Sequence, residues 1–151
     1  MGLRTLPTSG KVYCDTSVFI YSIEDHPTYS CLVDPLWDGV LAQKIEVITS
    51  ELTYMETMVG PIKLNDLALV DEYEEFFNND LLIVLTIDRP ILFQAARCRA
   101  ATGLRTPDAI HVATAEKMEC DLIFTNDLRL RGKTAIPILT FDELVSTNGT
   151  P

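Results

Sequence analysis

The chain is short of positive charge. Twelve Lys and Arg stand against 22 Asp and Glu in 151 residues, a formal net charge of −10, which excludes a nonspecific nucleic-acid coat with its broad basic face. Any polyanion must be gripped locally. Long apolar runs are also missing: none approaches the roughly 20 residues that cross a bilayer, and the polar, mixed start MGLRTLPTSG has no signal-peptide pattern. A cytosolic protein with no membrane segment is expected. The four cysteines, at 14, 31, 98 and 120, form no CxxC pair, so neither a disulfide framework nor a zinc site is indicated, and most should be reduced core residues. Internal repeats, low-complexity tracts and interdomain linkers are absent as well. Acidity alone leaves function open, because it serves solubility, cation attraction and basic partners equally.

What is present suffices for a core: 47% of the residues are apolar, enough for one domain over 1–151 with flexible ends at about 1–9 and 147–151. Five short β-branched runs predict strands: KVYC (11–14), EVIT (46–49), LLIVL (81–85), LIFT (122–125) and AIPIL (135–139). The stretches between them are long enough for crossover helices, so the expected fold is a three-layer α/β/α sandwich around a parallel five-stranded sheet. Pro137 cannot donate to a ladder, which places the last strand at an edge. Asp88 and Gly103 bound one helix as N-cap and terminal glycine. Thr106 and Pro107 open the next, with Thr106 as N-cap and Asp108 in the first turn. Thr140 and Glu143 suggest a capping box for a terminal helix.

Four acids attract attention, each with an ordinary alternative. Asp15 ends the first strand, where open parallel sheets bind ligands, yet it could equally cap the helix that follows. Glu56 shares a helical stripe with Leu52, Met55 and Val59, and a carboxylate on an apolar face needs a metal, a cationic partner or a proton. Glu51, one turn earlier, complements the helix N-terminus after Ser50. Asp108 could do the same for its helix. His111, three residues on, shares a face with Asp108 and is expected to be a packed, hydrogen-bonded histidine outside the catalytic set. Asp127 follows the fourth strand in Thr125-Asn126-Asp127, as turn residue or metal ligand.

If the acids converge, repulsion decides their chemistry. Two carboxylates about 5 Å apart repel by roughly 3 kcal/mol at an effective dielectric near 20. Hard oxygen donors without cysteine or clustered histidine select Mg²⁺ or Mn²⁺. Such ions activate water and neutralise a phosphodiester, so hydrolysis of a nucleic-acid backbone follows.

Together, YCDTSVFIYS, TSELTYMET, LRTPDAIHVATA and IFTNDLRL resemble, in order and spacing, the PIN-domain ribonucleases, most closely the VapC-type toxins of toxin–antitoxin modules. The resemblance covers nearly the whole chain. It implies strand order 3-2-1-4-5, the carboxylates Asp15, Glu56, Asp108 and Asp127 as catalytic Mg²⁺ or Mn²⁺ ligands, and Thr125 as a site-orienting hydroxyl. It also implies an endoribonuclease that forms homodimers and is silenced by a small basic antitoxin. Two divalent ions would bring the formal charge from −10 only to about −6, so RNA needs a concentrated grip. Candidates are Arg97, Arg99, Arg105, Arg129, Arg131 and Lys133, each also explicable as a solvated surface cation. Two other classes stay open: a catalytically silent PIN-like protein-binding module, and an aspartyl phosphotransferase with Asp15 as nucleophile.

Overall fold

The computed structural model describes residues 5–148. Its five strands are β1 (Gly10–Cys14), β2 (Ile45–Ser50), β3 (Leu82–Leu85), β4 (Leu122–Thr125) and β5 (Ile138–Thr140). All pair in parallel in the order β3-β2-β1-β4-β5. The helices are α1 (Thr16–Ile23), α2 (Asp34–Leu41), α3 (Glu51–Lys63), α4 (Leu67–Phe77), α5 (Arg89–Thr102), α6 (Thr106–Lys117) and α7 (Phe141–Asn148). The expected sandwich and strand order are therefore present.

Alternation along the strands builds a core on each face of the sheet. Tyr13, Ile48 and Ile123 join Ile91, Ala95 and Val112 of α5 and α6, whereas Val12, Cys14, Val47 and Phe124 pack with Val18, Leu36 and Leu144 of α1, α2 and α7. A sheet covered on both sides explains why its strands read as continuous apolar runs. Cys14, Cys98 and Cys120 are buried and free, and Cys31 is exposed and free. Burial pushes the Cys120 thiol up to about 12, which suits an inert core residue.

Strand order reverses at β1, whose two neighbours are β2 and β4. The chain leaves β1 and β4 side by side, which is where an open α/β sheet forms its ligand crevice.

Several boundaries differ from expectation. β5 begins after Pro137, whose carbonyl still accepts from the Ile123 N–H at 3.0 Å, and the strand lies at the sheet edge as expected. At the start of α6 the cap is Arg105 rather than Thr106, because the Arg105 carbonyl already accepts from the Ala109 N–H. Asp108 stays in the first turn. Asp88 caps α5 through the Ile91 N–H, and Gly103, at φ 74°, closes it in the left-handed conformation that favours glycine. The Thr140 hydroxyl donates to Glu143 at 3.2 Å. Of the ends expected to be flexible, 1–4 and 149–151 lie outside the described residues. Leu6 packs against the second core, and 147–148 belong to α7.

Ser50 ends β2 and caps α3, accepting from the Leu52 N–H at 3.2 Å. Ser50→Ala is expected to cost about 1 kcal/mol, read as a lower urea midpoint at unchanged slope.

Candidate active site

Asp15 caps α1 at the end of β1, where the crevice opens. Its Oδ1 accepts from the Ser17 N–H at 3.1 Å and the Ser17 hydroxyl at 2.6 Å, which starts α1 directly after β1. Its Oδ2 accepts from the Thr125 hydroxyl at the end of β4. Thr125 Oγ1 in turn accepts from the Asp127 N–H at 3.0 Å, and Ser17 Oγ from the Asn126 N–H at 3.1 Å. Two hydroxyls thus fasten the first acid to the loop that carries the fourth. Burial raises the Asp15 pKa, against the lowering effects of His111, Ser17 and Thr125.

Glu56 projects from α3 toward the same edge. Its Oε1 accepts from Thr16 Oγ1 at 2.7 Å and faces His111 Nε2 at 2.9 Å. Burial alone would raise its pKa, but the His111 and Thr16 hydrogen bonds and the charge of Arg105 hold it below the usual value. The stripe expectation needs correction. Met55 and Val59 are 53% and 49% exposed, while the buried side of α3 is Leu52, Thr53, Thr57, Met58 and Pro61. Glu56 sits at the margin of that side, with a side chain 29% exposed.

The other two acids hold arginines. Asp108 meets Arg105 Nε at 3.2 Å. Asp127 caps the short turn Leu128–Leu130 and takes the Arg129 side chain at 2.8–3.2 Å. That pairing, ahead of the opposing effect of burial, depresses the Asp127 pKa, with a further contribution from Arg105. Arg129 also feels the charge of Asp108. As arranged, no three histidines, cysteines or acids among the described residues close on a common point for a metal. The donors nevertheless fit Mg²⁺ or Mn²⁺ in kind: every one is a hard carboxylate oxygen, and arginine cations balance two of the charges an ion would balance.

The basic candidates divide. Arg105, Arg129 and Lys133 line a small groove of about 190 Å³ with Asp108 and Gly103, and Lys133 and Arg97 line an adjoining groove of about 450 Å³. Arg99 donates to the Leu104 carbonyl at 2.9 Å, and Arg131 pairs with Glu143. Thr16 and Ser17 were missed in the sequence because hydroxyls after a strand-end Asp read as ordinary capping residues. His111 is packed and bonded, as expected, and its partners are Glu56 and Tyr13.

A PIN domain family profile matches residues 12–136. No curated protein matches in sequence. Among solved structures, the chain is similar to a chain of the DNA-bound VapBC complex of Salmonella typhimurium (TM-score 0.71, 20% identity, 87% of this chain and 98% of that one). It is similar to a chain of a toxin–antitoxin complex of Klebsiella pneumoniae (0.67, 20%, 86% and 97%). A third likeness is to a VapC toxin of Mycobacterium tuberculosis described as cleaving the sarcin-ricin loop (0.66, 17%, 83% and 98%). These likenesses concern the fold, and the profile spans most of the chain, including Asp15, Glu56, Asp108 and Asp127: the protein belongs to the PIN domain family.

Proposed function

We propose that this chain is a divalent-metal-dependent endoribonuclease, acting as one PIN unit, and the toxin of a toxin–antitoxin pair in the cytosol. The observation that carries the reading is the fastening of Asp15 to the Asp127 loop through Thr125, with Glu56 joined to the same edge by Thr16. A structural capping aspartate needs no second strand to hold it.

Asp15, Glu56, Asp108 and Asp127 would hold Mg²⁺ or Mn²⁺. Bound there, the ion supplies a water of lowered pKa and neutralises charge on the phosphodiester. The protein's own groups supply order. Thr125 and Ser17 engage both oxygens of Asp15 and fix its orientation. Lys133, Arg105 and Arg129 line the groove beside Asp108 and are the groups to meet RNA phosphates, with Arg97 extending the track.

The partner reading rests on the family and on surface chemistry. The chain's net charge of −10 suits a small basic antitoxin. Met55, Val59 and Ile62 form an exposed apolar row on α3, the helix of Glu56, and Leu92 and Phe93 are exposed on α5; such surfaces suit an antitoxin segment and a homodimer contact. Among the described residues, no helix is long and apolar enough to cross a membrane.

A second reading, a silent binding module, is favoured by the arginines on Asp108 and Asp127. Incubating the purified protein with end-labelled RNA separates the two. Cleavage should require Mg²⁺ or Mn²⁺, stop with chelator, and leave no 2′,3′-cyclic phosphate, because water is the nucleophile. Cyclic ends, or cleavage undiminished by chelator, would overturn the metal-dependent mechanism; no cleavage under any condition would favour the silent module.

A further inference from the structure

A buried chain of side chains runs behind Glu56 and takes no part in the mechanism above. Tyr13, fully buried on β1, places its hydroxyl 2.7 Å from His111 Nδ1. Its ring meets the imidazole edge-on, with centroids 5.7 Å apart. His111, 5% exposed and one turn beyond Asp108 on α6, faces Glu56 Oε1 with Nε2 at 2.9 Å. Thr16 of α1 donates to the same oxygen. Four elements, β1, α6, α3 and α1, thereby meet on one carboxylate.

The direction of the bonds follows from what each group can do. An ionised carboxylate only accepts, so the imidazole donates from Nε2. In the neutral ring Nδ1 is then the acceptor, and the Tyr13 hydroxyl is its donor. The glutamate side chain has three rotatable bonds and would otherwise sample several rotamers at its partly exposed position. Both donors fall on Oε1, and among the described residues Oε2 receives no hydrogen bond. Such an arrangement holds one oxygen and presents the other.

We propose that Tyr13 and His111 are positioning residues for Glu56: the chain from Tyr13 Oη through the His111 ring fixes Oε1 and turns Oε2 toward the metal and substrate. The inference rests on the metal-site reading of Glu56. A purely structural pair would stabilise the fold without affecting what Glu56 binds. Hydrogen bonds behind a ligating group, by contrast, typically change metal affinity 10–100-fold when removed.

Tyr13→Phe keeps the ring and deletes the hydroxyl. His111→Leu deletes the donor, and His111→Gln restores an N–H that can reach Glu56. Calorimetric titration of the full chain with Mn²⁺ should show weakening of about 10-fold or more for His111→Leu and a smaller weakening for Tyr13→Phe, with most of the affinity regained in His111→Gln. Metal-free melting of each variant registers any effect on the fold separately. Nitrogen-15 NMR of the metal-free protein should show the hydrogen of His111 on Nε2, with Nδ1 bare. Folded variants that bind Mn²⁺ within about twofold of the wild type, or the opposite tautomer, would overturn the positioning role. A wild-type chain that binds no Mn²⁺ would instead overturn the metal reading beneath it.

Discussion

Asp15→Asn is expected to lower RNA cleavage by on the order of a thousandfold and, at neutral pH without metal, to raise the melting temperature. Both effects come from one carboxylate. Asp15 is held at the crevice by Ser17 and Thr125, yet burial raises its pKa in spite of those donors and of His111. Its ionised form therefore opposes folding until a cation arrives. The amide keeps an oxygen for Ser17 and loses the charge.

The pH dependence has a definite sign. A folded-state pKa above the unfolded value of about 3.9 means that the folded protein binds the proton more tightly. Metal-free wild type should gain stability as pH falls from neutral through the folded pKa of Asp15 toward about 4, and Asp15→Asn should lack that gain. Asp127 and Glu56 act oppositely, because Arg129 depresses the first and the His111 and Thr16 bonds outweigh burial at the second. Their stabilisation is present above the ordinary carboxyl range and is lost as pH falls through the lower folded values. Melting curves in chelator at pH 7 and 5, for both proteins, check the Asp15 part. Equal melting temperatures at pH 7 would mean that Asp15 carries no buried-charge penalty.

The second large effect is on stability. Phe124→Ala is expected to cost about 3–5 kcal/mol, read as a lower midpoint in guanidinium. Phe124 is fully buried on β4 and stacks on Phe141 with centroids 4.4 Å apart. Its carbonyl accepts from the Asp15 N–H at 3.3 Å, and the next residue is Thr125. The same side chain thus anchors the core and the strand end that holds the site. A loss below about 1 kcal/mol would mean the surrounding side chains collapse into the vacated volume.

Much of this fold is legible in the sequence because the sheet is buried on both faces: each strand appears as a short apolar run, and Asp88, Gly103 and Pro107 mark helix ends. Glu56 is a more instructive case. Its apolar neighbours Met55 and Val59 pointed to it, yet they face solvent. The sheet side of α3 includes Thr53 and Thr57, and the Thr49 hydroxyl lies 2.7 Å from that of Thr53. Buried threonines that satisfy one another carry no hydropathy signal, so the buried side of α3 lies about one residue from its apolar stripe. The Tyr13–His111 link joins residues 98 apart in the chain, and the Arg129–Asp127 pair depends on a local turn. Neither leaves a periodic mark. The Arg131–Glu143 pair likewise joins distant positions and leaves no sequence mark.

The proposed divalent-ion site consists of four carboxylates balanced in part by Arg105 and Arg129. A crystal structure of the protein soaked in Mn²⁺, read by anomalous scattering, tests it most directly. The expected result is a peak bounded by Asp15, Glu56, Asp108 and Asp127, with the Arg129 side chain moved off Asp127. Arginines still seated on Asp108 and Asp127, with no anomalous peak among the four acids at saturating Mn²⁺, would contradict it.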